Sequence, residues 1–193
     1  MDKIRKTPSQ TVGPFFAFGL TAVQYGYDFS SVGSESLAGD ETPGERISIK
    51  GRVFDGNGDV IPDAMIELWQ PDGSGKYRPI PIEKSDNAFI GFGRLGTGTT
   101  PDHSFVFQTI MPGATGRSAP HVNVILFMRG SLRHLYTRIY FPGQNNESDP
   151  VFSMVEQSRR NTLVASKSQV NGRIEYQFDI HMQGEKETVF FDI

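Results

Sequence analysis

His121-Val122-Asn123 sets an imidazole and a carboxamide two residues apart. On a strand, residues i and i+2 project from one face, so a His-x-His at this place would hold one metal ion between two rings. Here the second ring is replaced by an amide, whose neutral oxygen is a weak ligand for a hard cation. A ferric ion favours phenolate and imidazole, and its charge lowers a tyrosine's pKa from about 10, so the phenol binds as the anion. Tyr77 and His121 are the residues with that chemistry. Tyr77 follows the turn Pro71-Asp72-Gly73-Ser74-Gly75, which suits a ligand aimed into a cleft. Each residue also has a plainer reading: a turn-flanking tyrosine with a wet hydroxyl, and a buried imidazole bonded to backbone. His103, His134 and His181 have no spacing that suggests a joint site. The chain has no cysteine, so zinc and iron–sulfur readings fall away.

Two further groups could bind rather than coordinate. Arg129 stands before Gly130 at the end of the apolar run that begins at His121. At about 3.3 Å per residue the two lie roughly 26 Å apart, so Arg129 cannot serve a site centred on His121. A guanidinium at a strand end, beside a glycine that clears space, suits a carboxylate held by two parallel hydrogen bonds. With Arg133 and Arg138 nearby, a solvated charged face is the alternative. The segment Thr11-Val12-Gly13-Pro14-Phe15-Phe16 offers a hydroxyl, free backbone at a glycine and a rigid turn. Such a segment can lie against a planar ligand, or simply pack as an arm. No Ser-His-Asp order with nucleophile-elbow spacing, P-loop or dinucleotide glycine fingerprint is present, and no Asp or Glu pair is singled out for acid–base work.

The elements that must position these residues read as strands. From Ile47 the pattern alternates through Ile49 and Val53, then Asp55-Gly56-Asn57-Gly58-Asp59 turns the chain into a second strand over residues 64–70. Further strands are expected over 104–110, 121–128, 135–141 and 174–181, with Asn171-Gly172 before the last. Residues 79–100, with glycines at 91, 93, 96 and 98, read as one long loop. Asp149-Pro150 opens a short helix through Glu156, the single convincing helical stretch. Residues 1–45 show no sustained period and read as an N-terminal arm. Its aromatic residues between Phe15 and Tyr27 are too costly to leave wet, so the arm must pack on its own domain or on another subunit.

At 193 residues, 37% hydrophobic and 21% charged, with 15 Phe, 21 Gly and 12 Pro, the chain suits one mostly β domain. Short strands, long connections and no regular βα alternation predict an antiparallel β-sandwich with long loops, an extended N-terminal arm and one short helix. A formal charge of −3 without a basic stripe excludes nucleic acid as an expected partner. No run approaches the roughly 20 apolar residues of a membrane span and residues 1–10 lack an apolar signal core, so no membrane partner is expected and the cytoplasm is.

Taken together these segments resemble the intradiol ring-cleaving dioxygenases. The resemblance runs from Thr7-Pro8-Ser9-Gln10-Thr11-Val12-Gly13-Pro14-Phe15 to Gln183-Gly184-Glu185-Lys186-Glu187-Thr188-Val189-Phe190-Phe191-Asp192. Between them, Gly51-Arg52-Val53-Phe54-Asp55-Gly56-Asn57-Gly58, Ile66-Glu67-Leu68-Trp69-Gln70 and Ala119-Pro120-His121-Val122-Asn123 look like that family's first sheet strands and histidine strand. In the two-subunit members, the resemblance implies, a catalytic beta chain binds ferric iron with two tyrosines and a His-x-His. Tyr77 and His121 stand where the first tyrosine and first histidine would be. Asn123 replaces the second histidine, the loop over 111–119 contains no tyrosine, and Ser118 stands where the catalytic chain carries arginine. The pattern is that of an alpha chain, with no metal ligand set and no catalytic residue of its own.

The resemblance further implies a β-sandwich over 46–193, an arm over 1–45 packing on the partner subunit, and a site at the alpha–beta contact. There Thr11, Gly13, Pro14 and Arg129 would border the pocket for the substrate's carboxylate. Phe15 stands where many alpha chains carry tyrosine. The implied partners are a beta subunit carrying Fe(III), 3,4-dihydroxybenzoate and O₂. The implied product is 3-carboxy-cis,cis-muconate, in the beta-ketoadipate route of aromatic catabolism. A purely structural sandwich partner with no site role is the competing reading.

Overall fold

The computed structural model describes residues 7–29, 31–78 and 89–192. Alternation of apolar side chains builds the first layer. In β1 (Arg46–Gly51) the inward residues Ile47 and Ile49 are buried while their neighbours are not, the period-two signature of a strand with one wet face. β1 pairs antiparallel with β5 (Phe105–Ile110), and on its other side with β9 (Arg173–Gln177), which forms a hairpin with β8 (Ser166–Val170). The second layer has the order β4 (Phe92–Gly96), β3 (Met65–Trp69), β6 (His121–Phe127), β7 (Leu135–Tyr140), all antiparallel. A two-stranded pair, β2 (Val53–Phe54) with β10 (Ile180–His181), continues the β1–β9 pairing, the Phe178 and Ile180 amides donating to Lys50 O and Arg52 O. The β1–β9 and β2–β10 pairings are parallel, which is open to strands brought together by long excursions of chain rather than by tight hairpins.

One apolar cluster fills the space between the layers. Ile49, Phe105, Phe107 and Tyr176 from the first sheet meet Ile66, Leu68, Val124 and Ile139 from the second. A smaller cluster, Ala119, Tyr140, Phe152, Val155 and Leu163, packs α2 (Pro150–Met154) and the following 3₁₀ turn beside β7. Asp149 starts α2 by accepting hydrogen bonds from the Val151 and Phe152 amides, and Pro150 occupies the position where a missing N–H costs nothing.

Three expectations are corrected by this architecture. Residues 79–100 are not one loop: 79–88 lie outside the described residues, and β4 occupies 92–96. Its glycines concealed it. A Cβ on Gly93 would come within 2.5 Å of Leu37 Cδ1 and 2.9 Å of Ser34 O, so the glycine is required by a crossing segment and not by a turn. The expected strand over 174–181 divides into β9 and β10, with Phe178 and Asp179 between them. The expected single helix is joined by α1 (Phe16–Leu20) and by short 3₁₀ turns at 22–25, 146–148 and 157–163.

The arm is partly stitched into the sandwich. Leu37 is wholly buried, its N–H donates to Gln108 O, and its carbonyl accepts from the Ile90 and Gly91 amides, bridging β5 to the segment leading into β4. Gln24 bonds Gly96 through both ends of its amide, fixing α1 and the turn after it on β4. Yet Phe15, Val23, Phe29 and Val32 remain largely exposed, with Phe15 at 76%. The arm is thus anchored on its own domain while several of its large apolar side chains stay exposed.

Candidate functional site

β6 carries two groups of polar residues at its opposite ends. Its inner face is Val122, Val124 and Leu126, all in the main core, which turns His121 and Asn123 outward together. His121 is nonetheless buried. Its Nδ1 donates to Ala119 O at 2.8 Å, which leaves Nε2 as the lone-pair end, and the ring lies 5.8 Å from that of Tyr140. Burial pushes its pKa down. The Ala119 bond opposes that, the Arg138 charge adds to it, and the Asp149 carboxylate opposes it.

The structure also brings Tyr77 here. Asn123 Nδ2 donates to Tyr77 Oη at 2.9 Å and to Trp69 O at 3.3 Å, while the Trp69 and Tyr77 rings lie 4.8 Å apart. Burial raises the Tyr77 pKa, against smaller lowering effects of the Asn123 bond and the Arg138 charge, so the phenol is held neutral. Arg138 is the β7 residue paired with Asn123. Its Nη1 lies 3.3 Å from Tyr140 Oη and 3.9 Å from Asp149 Oδ1. Asp149, fully buried, also accepts from the Ala119 amide at 2.9 Å and the Tyr140 hydroxyl at 3.1 Å.

These residues do not fit a ferric ion. A metal site of this kind needs anionic and lone-pair donors converging on one point. Asn123 instead presents its N–H donor end to the Tyr77 oxygen, and a guanidinium bears electrostatically on both Tyr77 and His121. Among the described residues no three of His, Cys, Asp and Glu converge in a metal-binding group.

At the far end of β6 the surroundings are open. Arg129 is 57% exposed, and its Nε lies 2.5 Å from Asp63 Oδ2. The next residue, Gly130, has φ near +86° and donates its N–H to Thr11 Oγ1 at 2.9 Å, a contact spanning 119 residues. The arm and the arginine predicted from sequence are therefore brought together. Gly13, with φ near +75°, and Pro14 continue the arm from that contact, and a Cβ on Gly13 would meet nothing within 4 Å. Tyr25 joins from the same arm, its pKa raised by burial and by the nearby Asp63 charge. Two polar clefts, of about 370 and 380 Å³, lie elsewhere and include none of Thr11, Tyr77, His121 or Arg129.

Sequence reasoning missed three residues. Asp63 shares no local pattern with Arg129, 66 positions away, so nothing in the chain announces the pair. Arg138 was legible only as one of several surface arginines. Asp149 was legible as a helix start, but its bonds to Ala119 and Tyr140 depend on β6 and β7 lying side by side.

A family model described as "Dioxygenase" matches residues 28–184. The chain is 46% identical to the protocatechuate 3,4-dioxygenase alpha chain of Burkholderia cepacia over the whole of both chains. It is 29% identical to the beta chain from the same organism, over 77% of this chain and 68% of that one. The solved intradiol ring-cleavage dioxygenase of Tetranychus urticae has the same fold, with a TM-score of 0.62 at 17% identity over 92% and 94% of the two chains. The chain belongs to the intradiol dioxygenase family. Within it, the full-length likeness is to an alpha chain.

Proposed function

We propose that this chain is the subunit without iron of a hetero-oligomeric protocatechuate 3,4-dioxygenase. With a beta subunit it converts 3,4-dihydroxybenzoate and O₂ to 3-carboxy-cis,cis-muconate. The observation that carries this reading is the pairing of a full-length likeness to an alpha chain with a His121 site that does not fit iron. The ring-opening chemistry then belongs to the ferric site of the partner. The beta-chain relative in the organism that supplies the alpha-chain relative supports such a partnership.

In this reading the chain contributes half of a pocket. The ion pair to Asp63 engages Arg129 Nε, and the terminal Nη1–Nη2 pair can hold the substrate's carboxylate through two charge-assisted hydrogen bonds. Thr11, Gly13 and Pro14 form the wall beside it, at a distance from Arg129 fixed by the Thr11–Gly130 bond. Fixing the carboxylate fixes which ring edge faces the partner's site, a contribution of orientation rather than of bond-making. The exposed Phe15, Val23 and Phe29 supply apolar area for the beta subunit to cover. No helix of the described residues is long and apolar enough to cross a membrane, and a chain without cysteine suits the reducing cytoplasm, where we place the complex.

The test is to purify this chain alone and after co-expression with a beta chain, and to measure iron and cleavage of 3,4-dihydroxybenzoate. Activity and phenolate-to-iron colour only in the mixture support the reading. Iron and turnover in the lone chain overturn it. The Asp63 ion pair favours a second reading, in which Arg129 is only a structural partner and the chain is a scaffold. That reading requires kinetics to be indifferent to Arg129.

A further inference from the structure

The cluster around His121 holds a positive charge of its own. Asn123 and Arg138 are cross-strand partners on β6 and β7, and Asn123 donates to Tyr77, which with His121 lies within the field of the guanidinium. On its other side the guanidinium reaches Tyr140 Oη and the buried carboxylate of Asp149. Arg138 is itself mostly buried, with 22% of its side chain exposed, so its charge is weakly screened. The cluster is thus a set of neutral donors and acceptors plus one carboxylate and one guanidinium, balanced without any added ion.

We propose that the Arg138 guanidinium serves as the resident cation of this site, so that it is Arg138, together with the loss of an imidazole at Asn123, that keeps metal out. Restoring one ligand is then insufficient. A dication brought to Tyr77 and His121 meets a fixed positive charge in a poorly solvated setting, where repulsion is strong. Removing Arg138 has the opposite consequence: Asp149 becomes an uncompensated buried carboxylate that draws a cation in. This inference concerns residues of this chain alone and is read by metal binding, so it stands or falls independently of the dioxygenase assay.

The experiment titrates cobalt(II) chloride into the full-length chain, followed by calorimetry and visible absorption. The variants are Asn123→His, Arg138→Gln and the two combined, each checked for native circular dichroism. Expected is no saturable binding in the parent protein, weak or absent binding in Asn123→His, and binding at least about a hundredfold tighter in the double variant. Because Arg138→Gln can weaken the fold through Asp149, Arg138→Met and Arg138→Lys are made in the Asn123→His background as well. The neutral methionine must bind cobalt as glutamine does, and the cationic lysine must not. The proposal is overturned if Asn123→His alone binds as tightly as the double variant, if the lysine variant binds as the neutral ones do, or if folded neutral variants bind no cobalt.

Discussion

The two ends of β6 teach opposite lessons from one strand. At the His121 end each polar side chain named has a partner inside the chain: His121 with Ala119, Asn123 with Tyr77, and Arg138 and Tyr140 with Asp149. At the Arg129 end the arginine is more than half exposed and its neighbours Gly13 and Gly130 have open space above them. A self-satisfied, buried cluster acts on stability. An exposed cation held by a single carboxylate and a docked arm is free to act on a ligand. Residues that look like ligands in sequence therefore fall in the self-satisfied end, and residues with no catalytic appearance fall in the end where we propose binding.

That contrast is broken most directly at Asp149. Its carboxylate joins the α2 cap, the Ala119 amide and the Tyr140 hydroxyl, so Asp149→Ala should cost about 3 kcal/mol or more in denaturant unfolding. A loss under about 1 kcal/mol would show that the His121 end is not held together by this carboxylate. At the other end, Arg129→Ala in the assembled enzyme should raise KM for 3,4-dihydroxybenzoate roughly ten- to a hundredfold, with iron content unchanged. Unchanged kinetics would move Arg129 to the structural side and favour the scaffold reading.

Smaller effects sharpen the same division. Thr11→Val removes the acceptor for the Gly130 amide and should shift KM a few-fold, about 1 kcal/mol, without altering the unfolding midpoint of β6. A fall in stability with KM intact would mean that the arm contact is merely packing. The smallest effect at ordinary pH concerns Tyr140, whose pKa is pushed up to about 12, chiefly by burial. A raised folded-state pKa means that the unfolded chain releases this proton first. The contribution is fully present below pH about 10 and is lost as pH rises toward about 12. Urea unfolding between pH 9 and 12 should show this decline, and Tyr140→Phe should flatten it.

Much of the scaffold could be read from the chain because its signals are local. Ile47 and Ile49 alternate with polar neighbours, and Asp149-Pro150 marks a helix start; the structure has β1 and α2 at those places. β8 escaped because Ser166–Val170 is exposed at every position, so no buried face imposes alternation on it. β4 escaped because Gly91 and Gly93 look like loop residues, while the reason for Gly93 is Leu37 and Ser34, more than fifty positions away. Of the residues proposed to bind, Thr11 and Arg129 were legible as types, but their meeting was not.

Residue identity is what sequence alone determines, and here it settles what is missing. An amide at Asn123, no tyrosine over 111–119 and no cysteine anywhere remove ligands that no folding can restore. Which charges face one another was decided only in three dimensions. Strand register set Arg138 opposite Asn123, and long-range folding set Thr11 on Gly130, 119 residues on, and Asp63 on Arg129, 66 residues on. Electrostatic effects depend on distance through space, and along a folded chain that distance is unrelated to separation in sequence.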